Sequence, residues 1–150
     1  MREILFRGVP TQDWNKHFFA DIWKDNCKGN FVYGSLIVSK DRYYICVSAL
    51  CKINSCINNG ITSMIEVIPE TVGQYIGITD KNGTKIFEGD LMNGVCGKSF
   101  FEAAEVRWKS FFLEFFAGDN PLFEDNQEST YEVIGNIHDN HELLKGGVQE

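Results

Sequence analysis

Residues 102–108 read Glu-Ala-Ala-Glu-Val-Arg-Trp, and after Lys109-Ser110 residues 111–116 read Phe-Phe-Leu-Glu-Phe-Phe. This stretch decides the fold class. In an extended chain Ala104, Val106 and Trp108 fall on one side and Glu105 and Arg107 on the other, the period of a half-buried strand. Lys109-Ser110 reads as a tight turn and residues 111–116 as the returning strand. Downstream, Tyr131, Val133, Gly135 and Ile137 alternate with Glu132, Ile134 and Asn136. Asp139-Asn140 then precedes one or two helical turns at His141-Glu142-Leu143-Leu144. Upstream, residues 84–87 run through Glu88-Gly89-Asp90 into Leu91, and Asp119-Asn120-Pro121 punctuates the chain between the strands. Short strands at this spacing predict a strongly bent antiparallel barrel of SH3-like type.

The first half carries the same signals with different punctuation. Residues 2–7 read as a strand with Ile4 and Phe6 on one face. Residues 31–39 are rich in β-branched and aromatic side chains, and Lys40-Asp41 separates them from residues 43–47 as a hairpin. Asn58-Asn59-Gly60 is a second turn, leading into a strand over 61–68. The Asn-Gly steps at 59–60, 82–83 and 93–94 each suit the positive φ of a tight hairpin turn. Within 11–28, Phe18, Phe19, Ile22 and Trp23 form the stripe of a short amphipathic helix or an ordered loop packed on the sheet.

Pro69-Glu70-Thr71 marks the boundary. The predicted organisation is a β subdomain over 1–68 with the insertion near 11–28, a linker and hairpin over 69–83, an SH3-like β-barrel subdomain over 84–145, and a frayed tail over 146–150. The fold class is therefore mainly β, two small antiparallel subdomains with minor helix.

Composition narrows the function classes. The 150 residues are 43% hydrophobic and 23% charged, which suits a folded globular chain rather than a disordered one. No run approaches the ~18 apolar residues of a membrane span. The opening MREILFRG carries charge at once, unlike a signal peptide. A net charge of −7 opposes generic attraction to nucleic acid or anionic membrane. It is unevenly placed: residues 1–68 hold eight Lys or Arg against six Asp or Glu, whereas residues 69–150 hold six against fifteen. The acidic half serves solubility or meets a basic partner.

Cys27, Cys46, Cys51, Cys56 and Cys96 are an odd number, and with no signal peptide they read as free thiols of a cytoplasmic protein. Cys46, Cys51 and Cys56 are five apart. A step of five puts thiols on opposite faces of a strand, and zinc sites draw pairs from tight turns two to four apart. His17, His138 and His141 add no recognisable ligand spacing, so neither metal nor cofactor is expected.

Residues 67–90, VIPETVGQYIGITDKNGTKIFEGD, resemble the YopX-like family. So do the opening MREILFRG, residues 31–37 (FVYGSLI) and residues 132–140 (EVIGNIHDN). The stretch 10–28 and the region of Cys46–Cys56 depart from that pattern. The resemblance implies a mainly β protein in two subdomains and a phage, prophage or Gram-positive bacterial setting. It implies no activity. Within the central string, Gly73 and Gly77 suit a bulge or close backbone approach, and residues 79–83 a turn.

Asp80, Glu88 and Asp90 are the carboxylates nearest the distinctive string and the first candidates for acid–base chemistry, but as turn residues they read as solvated. No nucleophile elbow and no phosphate-binding glycine loop is present. The expected function is that of a non-enzymatic accessory protein acting by association with protein, itself or a host target. Twelve Phe, five Tyr and three Trp are more than a small barrel can bury. Phe112 and Phe116 are the candidate interaction surface. The first alternative is a nucleic-acid-binding barrel with Trp108, Phe111, Phe112, Phe115 and Phe116 as stacking platform; its basic ring is missing, since only Arg107 and Lys109 lie nearby in sequence, outnumbered by Glu102, Glu105, Glu114 and Asp119. A cryptic enzyme is the second.

Overall fold

The computed structural model describes residues 3–12, 26–50, 60–112, 114–122 and 130–144. The chain is mainly β and divides into two compact units. One comprises Ile4–Gln74, the other Met1–Glu3 with Tyr75–Glu150. The insertion expected around 11–28 lies largely outside the described residues, as do Asn58-Asn59 and the tail 146–150.

The first unit holds β1 (Phe6–Gly8), β2 (Cys27–Lys28), β3 (Phe31–Ser39), β4 (Arg42–Leu50) and β5 (Gly60–Val67), with a 3-10 turn at Pro69–Thr71. Every pairing is antiparallel, in the order β5-β4-β3-β1, and β2 pairs with the start of β3. The β3–β4 hairpin forms where the sequence indicates, closing at Ser39 opposite Arg42 with Lys40 at φ 55°. Ile45 stands opposite both Leu36 and Ile65, so alternate residues of three strands share one face. Val32, Ile45, Val47 and Val67 are the buried centre of that face, each side chain contributing about 1.5–3 kcal/mol. Thr71 secures the edge: its hydroxyl donates to Ile68 O at 2.7 Å and accepts from Val9 N–H at 2.8 Å. The first strand is shorter than expected. Residues 3–5 are not strand and Ile4 is 71% exposed, because pairing with β3 begins only at Phe6.

The second unit opens within β6 (Gly73–Thr79) and continues through β7 (Lys85–Phe87), β8 (Asp90–Cys96), β9 (Ser99–Lys109), β10 (Glu114–Ala117), β11 (Asn120–Pro121), β12 (Thr130–Asn136) and the helix α1 (His141–Leu144). β8–β12 form an antiparallel sheet in the order β11-β10-β9-β8-β12, curled as half of a barrel. An SH3-like arrangement is compatible with that curl. β12 ends the sheet, and the β6–β7 turn covers its outer side: Lys81 N–H donates to Tyr131 O at 2.9 Å and Val133 N–H to Asp80 Oδ2 at 3.2 Å. Ile76, Ile86, Met92, Phe101, Val106, Ala117 and Tyr131 fill the interior.

A bulge in β9 reconciles two patterns that simple alternation keeps apart. Met92 stands opposite Ala104 and Gly94 opposite Phe101, so Asn93 alone faces both Glu102 and Ala103. Ala103 takes φ 45°, and its N–H donates to Asn93 Oδ1 at 2.9 Å. The extra residue shifts the phase, and Phe101 as well as Ala104 and Val106 packs with the interior. Gly77, at φ 97°, lies at the corresponding irregularity between β6 and β7.

Two turn assignments are corrected. Asn82-Gly83 does turn, with Gly83 at φ 79°, but Asn93-Gly94 lies inside β8. Gly94 sits there because a Cβ would lie 2.6 Å from Phe101 Cζ and 2.8 Å from Thr130 O. Phe111 and Phe112 belong to the β9–β10 turn rather than to a strand, which begins again at Glu114.

Candidate functional site

Two carboxylates of the central string, Asp80 and Asp90, accept hydrogen bonds from backbone N–H groups. Asp80 is buried, and its Oδ1 accepts from Asn82 and Thr84 N–H, each at 2.8 Å, while Oδ2 takes the bond from Val133. Burial alone would push its carboxyl up, but the bonds from Thr84, Val133 and Asn82 outweigh that and hold it below the ordinary carboxylate range. A general acid needs the opposite displacement. Asp90, 2% exposed, accepts from Phe87 N–H at 2.8 Å across the Glu88-Gly89 turn. Glu88 occupies that turn.

Two of the strings that carry the family resemblance, 67–90 and 132–140, meet around Gly89. At φ 80° its N–H donates to Val106 O at 2.8 Å and its carbonyl accepts from Ile137 N–H at 2.9 Å. Asn136 next to it makes an Asx turn, its Oδ1 accepting from His138 and Asp139 N–H at 2.9 and 3.0 Å. These residues build the corner where β8 leaves the β7 turn and β12 ends.

A family described as YopX protein matches residues 20–145. The chain belongs to the YopX family. No curated protein and no solved structure matches it.

Three thiols of this YopX protein fall among the described residues. Cys27, Cys46 and Cys96 are free, whereas Cys51, Cys56 and His17 lie outside the described residues. Burial pushes the Cys27 thiol up, away from the reactive thiolate. Cys96 Sγ lies 3.6 Å from Pro121 O. Among the described residues no three His, Cys, Asp or Glu side chains are grouped to hold a metal ion. Among them too, no helix is long and apolar enough to cross a membrane.

The aromatic residues are more informative. On β9 and β10 the register sets Phe115 opposite Trp108 and Ala117 opposite Val106, on the interior side, and Phe116 opposite Arg107 on the outer side. Trp108 and Phe115 pack edge to face, centroids 4.9 Å apart. Phe112 and Phe116, the expected surface pair, are placed differently. Phe116 is only 7% exposed, because Phe112 folds back over it at 5.3 Å and Lys109 Nζ sits 4.5 Å from its ring centroid. Phe112 remains 56% exposed, and Phe111, edge-on to it at 5.1 Å, is 91% exposed. The YopX chain thus presents two adjacent phenylalanines at a turn, propped on a buried third.

The cations beside this turn are already engaged. Arg107 pairs with Glu105, and Lys109 Nζ lies 2.9 Å from Asp119 Oδ1. Lys81 and Lys85, elsewhere in the unit, pair with Glu132 and Glu3. A stacking platform for single-stranded nucleic acid needs cations available to phosphate, and these face carboxylates instead. Phe100, also exposed, was not singled out in the sequence. The adjacent pair Phe100-Phe101 held the signal, since successive strand residues face opposite ways and only one of them can enter the interior.

Proposed function

We propose that this YopX-family chain is a non-enzymatic accessory protein of a phage or prophage, acting in the cytoplasm by binding protein, itself or a host target, through the β9–β10 turn. The observation that carries the reading is the exposure of Phe111 and Phe112 side by side. Full burial of such a side chain is worth about 1.5–3 kcal/mol; in the isolated chain Phe111 forgoes most of it and Phe112 roughly half, and docking recovers that part. The support differs from that of a disordered tip, because Phe112 packs on the Phe116 ring and its N–H donates to Lys109 O at 3.1 Å. A preorganised aromatic anchor loses little conformational entropy when it enters a partner's pocket. The reading as non-enzyme draws on the engagement of Asp80 and Asp90 with backbone donors.

The test is sedimentation of the unaltered chain and of a Phe111→Ser, Phe112→Ser double variant over a wide concentration range, beside retention of host proteins on each. The expected result is association, with itself or with a retained protein, that the double variant loses while keeping its β spectrum. An unaltered chain that stays monomeric and retains nothing beyond what the variant retains overturns the reading.

A further inference from the structure

We propose that Asn82 is a site of spontaneous backbone modification, and that its conversion to aspartate and isoaspartate loosens the hold of Asp80 on β12. Two Asn-Gly steps are described, and their surroundings are opposite. Asn82 and Gly83 lie exposed on the β6–β7 turn. Gly83 is at φ 79°, and a Cβ built on it would meet nothing within 4 Å, so no neighbouring element packs over it. Asn93 and Gly94 lie inside β8, between β9 and β12. Asn93 Oδ1 is held by Ala103 N–H, and Gly94 is overlaid by the Phe101 and Tyr131 side chains.

The reaction needs the Gly amide nitrogen to reach the preceding carboxamide. Gly83 N attacks Asn82 Cγ, the N–Cγ bond forms, the Cγ–Nδ2 bond breaks, and Nδ2 leaves as ammonia with the proton from the amide. Water then opens the resulting cyclic imide at either carbonyl, giving aspartate or isoaspartate. Glycine is the favoured neighbour because no side chain obstructs the attack. At Gly83 one bond must open first, its N–H to Asp80 O at 3.0 Å. Opening a bond on an exposed turn draws on local fluctuation, whereas freeing Asn93 requires separating a central strand from its neighbours.

Either product disturbs the clasp. The Asn82 N–H donates to the Asp80 carboxylate at 2.8 Å. Aspartate puts a second negative charge two residues from the Asp80 carboxylate. Isoaspartate adds a methylene to the main chain between residue 82 and Gly83, displacing the Gly83 and Thr84 N–H groups from Asp80.

The experiment incubates the full chain in mildly alkaline buffer, with and without denaturing urea, and follows both steps by peptide mass mapping. In native buffer Asn82 is expected to convert at least about tenfold faster than Asn93, the ratio set by local against subglobal opening. In urea the two rates should converge, since only the fold distinguishes them. The converted chain, separated by charge, should exchange the amide hydrogens of Lys81 and Val133 faster than the original. An Asn82→Ala chain should yield no product at this turn. Equal native rates, or conversion of Asn82 in urea alone, overturn the site. Unchanged exchange at Lys81 and Val133 overturns the loosening.

Discussion

The Val133 N–H donates to the Asp80 carboxylate across 53 positions of sequence, joining the β6–β7 turn to the strand that ends the curled sheet. The same carboxylate organises its own turn through Asn82 and Thr84. One side chain therefore sets both a local conformation and a long-range closure. Its role follows from geometry, since a buried carboxylate is tolerated when several N–H donors satisfy it.

Replacing Asp80 by Ala leaves those three donors without their acceptor. The expected loss is about 2–3 kcal/mol of unfolding free energy, measured by urea denaturation at neutral pH.

The same carboxylate predicts a pH dependence. Its folded pKa is lowered, so its contribution is complete above the unfolded value and disappears as pH falls through the folded one. Stability of the unaltered chain should therefore fall on acidification below the ordinary carboxylate range. In an Asp80→Asn chain that part of the fall should be absent, and the gap between the two should narrow with acid. A gap that stays constant down to acid denaturation shows that the charge on Asp80 is not what holds the clasp.

Gly94→Ala should destabilise by about 1–3 kcal/mol, since the new Cβ meets a backbone oxygen as well as two rings. Thermal unfolding followed by near-ultraviolet circular dichroism reads both the loss of stability and any change in the Phe101–Tyr131 contact.

The bulge gives a change of opposite sign. Ala103→Gly removes the penalty of a left-handed φ on a residue with a Cβ, about 1 kcal/mol, and should raise or preserve stability. Asn93→Ala removes the acceptor of the Ala103 N–H and should cost about 1 kcal/mol. The denaturant midpoint should hold or rise for Ala103→Gly and fall for Asn93→Ala.

At the β9–β10 turn, Phe111→Ser should leave stability within about 0.5 kcal/mol of the unaltered chain, as befits an exposed residue. Phe116→Ser should cost several times more, since it removes a buried ring from beneath Phe112 and Lys109. Comparable losses for the two would show that Phe111 is not held out in solution.

Much of the architecture could be read from local pattern. The β3–β4 hairpin, the β7–β8 turn at Glu88-Gly89, the Asn82-Gly83 turn and the short helix at His141–Leu144 stand where their residues indicate. The candidate surface was legible in part. Two phenylalanines in a row on a strand or turn cannot both be buried against one interior, and Phe111-Phe112 carried that signal. Which of the nearby rings would be covered was not legible, because the answer depends on Phe112 folding back over Phe116 from outside the strand.

Local sequence alone determined the β class and the turns, because side-chain alternation and positive-φ preference are properties of a few adjacent residues. Tertiary structure decided the phase of β9, the placement of Asn93-Gly94 within a strand, the burial of Phe116 and the partners of Asp80. Each depends on which residue of a distant strand stands opposite. That register emerges only when the strands pair and bury one common face, with the extra residue of the bulge taken into account.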